Sequence, residues 1–208
     1  MIIPYRDETP SFKFPYLTLT LISVNVILYF FTFFKLEGID SVTANLGFLP
    51  RKIIEQPYTI ITSIFLHANL LHLISNMWFL WLFGDNIEDR YGRIQFLLIF
   101  LLAGIIGNFT HALFTFWRVE IPLIGASGAV AGIMGSYLVR FPKARIRCVF
   151  ILIFYPIFFR LRAYWFIGIW IMWEFIAAYT TPNDNIAHWA HIGGFAFGFI
   201  WAYGRKGK

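Results

Sequence analysis

Apolar residues in this chain gather in long runs, separated by short polar turns. They do not alternate at the spacing of a half-buried strand or a one-sided helix. The first run covers residues 14–34, and as a helix it is long enough to cross a bilayer core of about 30 Å. Residues 35–57 are mixed, with Gly38, Gly47, Pro50 and Pro57 as breakers, and are expected to lie at the membrane interface. The second run builds from residue 58 and ends at 83, its crossing part being 67–83. A charged turn at 84–93 leads to the third run, 94–116, and a short loop at 117–123 to the fourth, 127–141. Residues 140–147 are basic. Residues 148–159 are apolar but short, and Arg160 and Arg162 interrupt the pattern before 163–179. A polar turn at 180–185 precedes the last run, 186–203. The pattern predicts an all-α polytopic membrane protein, one membrane domain over residues 1–208.

Composition supports this class. Hydrophobic residues make up 59% and charged residues 13%, too apolar for a soluble domain. The single Cys148 excludes an intrachain disulfide. The N-terminus lacks a short apolar core before a small-residue cleavage site, so no removable signal is expected and the first span is expected to serve as signal. The net charge of +6 does not indicate nucleic acid, because the basic residues border the apolar runs. If 148–159 lies on the membrane without crossing, there are six crossings. Of the 17 Lys and Arg, only Lys35, Arg51, Lys52 and Arg118 then fall on one side. The excess on the other side places both termini in the cytoplasm. A seventh crossing would move Arg160 and Arg162 across, and twelve residues of helix span only about 18 Å.

The topology sets the depth of the polar residues. Residues 127–141 form about 22 Å of helix, less than the hydrocarbon core. The fourth segment therefore starts below the outer surface, with Ser127 recessed. The second segment places His67, His72 and Asn76 near the same side, and the sixth places His188 and His191 there. His72 and Asn76 are four apart and share a helix face. Plainer roles are expected for the other polar groups: His188 solvated or capping, His111 structural, Glu174 and Asn108 buried for packing, with Glu174 protonated.

Ser127 sits between Gly125 and Gly128 at the entry to its helix, where a hydroxyl is uncrowded and backbone N–H groups are unpaired. Ala190, Gly194 and Gly198 form a stripe of small residues on the sixth helix, with His191 on its edge. Gly128 and Gly132, and Ser127, Ala131 and Gly135, form stripes on the fourth. Matching stripes let membrane helices approach closely, which would bring His191 toward Ser127, the pairing that activates a serine nucleophile.

These motifs resemble those of the rhomboid intramembrane serine proteases. Gly125-Ala126-Ser127-Gly128 is similar to that family's GxSG motif, and the stretch from Ala190 to Gly198 to its AHxxGxxxG motif. His67, His72 and Asn76 are similar to its HxxxxHxxxN pattern, and Gly84, Glu88 and Gly92 to the acidic-glycine turn after it. The likeness covers residues 58–198. It implies a six-helix bundle in the inner membrane of a prokaryotic cell and no cofactor or metal. Its substrates would be transmembrane proteins in the lipid bilayer. It further implies a dyad of Ser127 as nucleophile and His191 as base, with an oxyanion hole made by the side chains of His72 and Asn76 and the Ser127 N–H. His67, Gly125, Gly128, Gly194 and Gly198 would support the site. Two features depart from the pattern. Ala131 stands where some relatives stack an aromatic ring on the histidine, leaving Trp189 or Phe195 to orient His191. The Trp-Arg pair of the first loop in some members is absent.

Two other readings compete with an active protease. One is a catalytically silent rhomboid-like binding or quality-control protein, which the presence of both Ser127 and His191 opposes. The other is a transporter or metal channel using His67, His72, His188 and His191. Against it, the sequence places no carboxylate or cysteine beside them, and a spacing of five puts His67 and His72 on different helix faces.

Overall fold

The computed structural model describes residues 2–35, 39–115, 121–153, 155–181 and 184–205. Gly38, Phe116, Arg118, Lys206, Lys208 and part of the 180–185 turn lie outside them. The described residues are mostly helical, with α1 (Tyr16–Lys35), α2 (Ile39–Leu46), α3 (Thr59–Thr62), α4 (Leu70–Tyr91), α5 (Arg93–Phe114), α6 (Ser127–Arg140), α7 (Ala163–Thr180) and α8 (His188–Tyr203). Two stretches, Tyr16–Phe34 and Arg93–Phe114, are long and apolar enough to cross a membrane. A third span results if Thr59–Phe65 and Leu70–Tyr91 are one segment bent by 91°. The bend falls where Leu66 turns to extended backbone and Asn69 caps α4 by accepting the His72 N–H at 2.8 Å.

The charged turn expected at 84–93 is instead mostly helix. α4 continues to Tyr91, and only Gly92, at φ 75°, separates it from α5. Glu88 explains why a charge is tolerated there. Its two carboxylate oxygens accept the N–H groups of Leu17 and Thr18 at 2.9 and 2.7 Å and the Thr18 hydroxyl at 2.8 Å. A carboxylate thus caps the start of α1, where the orphan donors and the helix dipole favour negative charge. Gly84 lets α1 approach, since a Cβ there would meet the Thr18 side chain at 2.9 Å.

The segment 148–159 does not form a helix, and the fold is therefore not purely α. β1 (Ile2–Asp7), β2 (Arg145–Leu152) and β3 (Tyr155–Arg162) form an antiparallel sheet in the order β1-β2-β3. Ile2 lies opposite Phe150 and Asp7 opposite Ile146, with an irregularity between Pro4 and Arg6. Ile146 and Cys148, two apart, are buried, the period of a strand with one face on the core. Arg147 and Arg160 sit directly across β2 and β3, a repulsive pair. Glu8 offsets it, with one oxygen 2.6 Å from Arg147 Nε and 3.1 Å from Arg160 Nε. Those hydrogen bonds and charges also hold the Glu8 carboxyl below its usual range, Arg147 contributing most. Asp7 behaves oppositely, burial pushing its carboxyl up despite the Thr9 N–H at 2.6 Å.

One end of the bundle collects the basic residues. Arg140, at the end of α6, donates to the Tyr91 hydroxyl at the end of α4 and to the Arg205 carbonyl beyond α8. The opposite end holds the starts of α4, α6 and α8. α5, α6 and α8 pack most intimately, and their glycines show why. A Cβ on Gly194 would run into the Gly128 carbonyl, one on Gly198 into the Gly132 carbonyl and one on Gly135 into the Phe195 carbonyl. Ser136 adds a hydrogen bond to the Gly198 carbonyl at 2.9 Å. Small residues here exchange side-chain volume for backbone contact. The stripes read from the sequence do meet.

Candidate active site

Ser127 is the first residue of α6. The chain reaches it through Gly125, whose φ of +124° suits glycine and whose N–H donates to the Ser63 carbonyl at 2.9 Å. Among the described residues no side chain caps this helix start, so the first-turn N–H groups, that of Ser127 included, keep their capacity to receive an anion. Asn108 fixes the Ser63 side of the loop by donating to the Ser63 hydroxyl at 3.0 Å, the packing role expected of it.

His72 projects from the first turn of α4 onto this loop. A Cβ on Gly125 would lie 2.7 Å from His72 Nε2 and 3.7 Å from Ser127 Oγ, so both groups flank the same bare backbone. His72 Nδ1 accepts the Ala68 N–H at 3.5 Å, which leaves the ring proton on Nε2 in the neutral tautomer. That proton is directed at the region beside Ser127. Asn76, one turn on, is buried and spends one amide hydrogen on the His72 carbonyl at 3.0 Å, keeping a second hydrogen to donate. His67 is buried, neither ring nitrogen has a hydrogen-bond partner among the described residues, and its ring meets that of His72 edge-on at 5.1 Å.

His191 lies in the first turn of α8, brought to the level of Ser127 by the contact of Gly128 with Ala190 and Gly194. Among the described residues no hydrogen bond joins His191 to Ser127. In unliganded enzymes, hydrogen bonds between catalytic groups are often long or poorly aligned. The Nδ1 side of His191 is occupied, because Glu174 Oε2, from α7, lies 2.7 Å away. The same oxygen lies 2.7 Å from His188 Nδ1, and His188 Nε2 lies 3.0 Å from Asp184 Oδ2. Burial pushes the Asp184 carboxyl up. Its hydrogen bonds with His188, the Ile186 N–H and Thr181 outweigh that and hold it below its ordinary value.

This chain of groups corrects three expectations. His188 is buried, not solvated. Glu174 is buried and hydrogen-bonded as expected, but with Oε2 shared between two rings it is suited to the ionised form rather than the protonated one. The histidines do have carboxylate neighbours: Glu174, His188 and His191 present ligand atoms within 4.8 Å of one another. The separations are those of hydrogen bonds, however. Donors on one tetrahedral zinc, with bonds near 2.0–2.1 Å, stand about 3.4 Å apart, so the set as it stands shares protons and would have to open to take a metal. Of the two rings expected to orient His191, Trp189 instead stacks on Phe114 at 4.0 Å. Trp170, four residues before Glu174 on the same face of α7, has its ring centre 6.1 Å from that of His191, the two planes tilted by 33°. The signal available in the sequence was Trp170 and Glu174 at helical spacing, the latter an acid inside an apolar run.

Comparison with known proteins identifies the family. Residues 54–207 match the Rhomboid domain family. The chain is 35% identical over 168 residues to RHOMBOID-like protein 12, mitochondrial, of Arabidopsis thaliana, covering 73% of this chain and 47% of that one. It is 30% identical over 151 residues to the Presenilin-associated rhomboid-like protein, mitochondrial, of Homo sapiens, covering 69% and 37%. With Rhomboid-like protease 3 of Toxoplasma gondii it shares 38% over 81 residues, covering 39% and 30%. The chain thus spans less than half the length of these curated relatives. The domain match extends over most of the chain and includes every motif described above, and the chain belongs to the rhomboid family of membrane proteins.

Proposed function

We propose that this chain is an intramembrane serine endopeptidase that hydrolyses peptide bonds in or near transmembrane segments. The observation that carries the reading is the meeting of three helix starts. Ser127 stands at the uncapped start of α6, His72 Nε2 faces the same glycine loop from α4, and His191 is held at that level on α8 by glycine contacts. Ser127 Oγ attacks the scissile carbonyl while His191 Nε2 takes its proton. The tetrahedral oxyanion is received by the Ser127 N–H, His72 Nε2–H and Asn76. His191 then protonates the leaving amine as the C–N bond breaks, and water hydrolyses the acyl-enzyme by the reverse roles.

In this reading α1, the bent α3–α4 pair, α5, α6, α7 and α8 make six crossings, and the basic end with both termini faces the cytoplasm. A substrate helix satisfies its own backbone hydrogen bonds, so segments weakened by Gly or Pro near the outer interface are cut best. Substrates approach laterally past α7, whose Trp165, Ile169, Met172, Trp173 and Tyr179 are exposed. Locking α4 to α7 with engineered cysteines, after replacing Cys148, should slow cleavage of transmembrane substrates. An unchanged rate would exclude that route.

The primary test is a fluorophosphonate probe on the detergent-solubilised protein. Ser127 should be labelled, and Ser127→Ala and His191→Ala should each abolish cleavage of a transmembrane substrate. The double variant should be no worse than either single one. A folded wild type that neither labels nor cleaves would favour a silent rhomboid-like binding protein instead.

A further inference from the structure

The acid in α7 bears on the chemistry of this site. Glu174 is 6% exposed at the residue level, and its Oε2 stands at 2.7 Å from Nδ1 of both His188 and His191. His188 is held on both ring nitrogens by carboxylate oxygens, Glu174 on one side and Asp184 on the other. Ionised carboxylates only accept, so both His188 nitrogens must donate, and a ring that donates twice is an imidazolium. The groups from the 180–185 turn inward then read Asp184 negative, His188 positive, Glu174 negative, His191 neutral. A buried carboxylate alone is costly and tends to take up a proton, whereas one beside a cation keeps its charge.

Resting on the protease reading, we infer that Glu174 is a positioning residue that accepts the Nδ1–H of His191 and turns its Nε2 lone pair toward Ser127, while His188, charged between Asp184 and Glu174, keeps that carboxylate ionised. His191 uses only Nε2 in the reaction. The proton leaves Ser127 Oγ for Nε2 as the Oγ–C bond forms, and it passes to the amine nitrogen as the C–N bond breaks. The Nδ1 proton stays on the ring throughout and donates to Glu174, whose charge favours the transient imidazolium. Trp170 confines the ring from the same helix, so α7 supplies both the acceptor and the wall. The other titratable groups near His191 are His72 on α4 and His111 on α5. Both are retained in every variant below, so differences between variants do not come from them.

The test compares the full-length protein in detergent with Glu174→Gln, His188→Gln and Asp184→Asn. It follows kcat, KM and the acid limb of kcat/KM across the range where histidine titrates. Glu174→Gln removes the charge that favours imidazolium. It should lower kcat by about 10²-fold or more with KM little changed, within the range that general acid–base catalysis contributes. Its acid limb should move to lower pH. His188→Gln removes a cation beside the Glu174–His191 pair, so the pair takes up a proton more readily, whichever member carries it. Its acid limb should move to higher pH. Asp184→Asn lies in a partly exposed turn that leaves the helix core intact, and it should shift the limb in the same direction as His188→Gln. A purely structural role would lower kcat in step with thermal stability and give no opposed shifts. The inference is overturned if Glu174→Gln keeps the wild-type kcat and limb. It is equally overturned if His188→Gln and Asp184→Asn both leave the limb in place. Cleavage surviving Ser127→Ala would instead remove the protease reading on which the inference rests.

Discussion

Gly194 is where the helix stripe and the chemistry can be separated experimentally. A Cβ added there would overlap the Gly128 carbonyl, standing 2.8 Å from its carbon and 3.2 Å from the Ala103 oxygen. Both obstacles are backbone, on α6 and α5, so no side chain can rotate away and the helices themselves must part. Overpacking of this kind costs about 1–3 kcal/mol, and the rigid neighbours put Gly194→Ala at the upper end, with Gly194→Val beyond it. The displacement acts on His191, one turn away, and misplacing a catalytic group by about 1 Å can cost about 10²-fold in rate. The atoms nearest a Cβ on adjacent Gly193 belong to the Thr110 side chain, which can rotate, so Gly193→Ala should lose less. Among the described residues, the nearest atom to a Cβ on Gly204 is the Ile200 carbonyl oxygen at 3.6 Å, so Gly204→Val should change little. The assay is the thermal midpoint in a fixed detergent, with the initial rate on a transmembrane substrate measured on the same samples. If Gly194→Ala and Gly204→Val behaved alike in both, close α6–α8 contact would not set the geometry of the site.

Three further outcomes follow from the same contacts. His72→Ala and Asn76→Ala should each reduce turnover by about 10²–10³-fold, the usual loss for one oxyanion donor, while Ser127 still reacts slowly with a strong electrophile. A covalent inhibitor complex with its oxygen turned away from both would refute the assignment. Gly125→Ala should fold yet lose activity, because φ +124° strains an L-residue and the new Cβ would stand 2.7 Å from His72 Nε2. Wild-type kcat there would show that the loop shape is not needed. Glu88→Gln leaves an amide facing the Leu17 or Thr18 N–H and should cost about 1–3 kcal/mol of stability, with probe labelling of Ser127 unaffected once the protein is folded.

What could be read from the sequence, and what could not, divides along the range of the interactions involved. The start of α6 at Ser127 follows from the glycine-rich entry to the fourth apolar run, and the meeting of Gly194 with Gly128 follows from residue spacing on two helices. Both are one-dimensional properties. The sheet was hidden because its partners lie far apart in sequence. β1 pairs with β2 across more than a hundred residues, and the apolar run at 148–159 gives no signal that separates a strand from a short buried helix. The same limit hid the role of Glu174. An acid in a membrane helix signals a function without naming its partner. Its partners sit on the next helix, beyond a turn whose path the pattern does not fix. The burial of His188 is hidden for the same reason: a histidine after a polar turn reads as solvated, and its carboxylate partner lies on α7. Ala131 leaves α6 without a ring at that position, and the nearest aromatic contact of His191 given by the structure is Trp170 on α7, at 6.1 Å. The helix that carries Trp170 and Glu174 also exposes Trp165, Trp173 and Tyr179. In the protease reading, an outward movement of α7 that admits a substrate would carry Glu174 away from His191, and its return would bring that acceptor back.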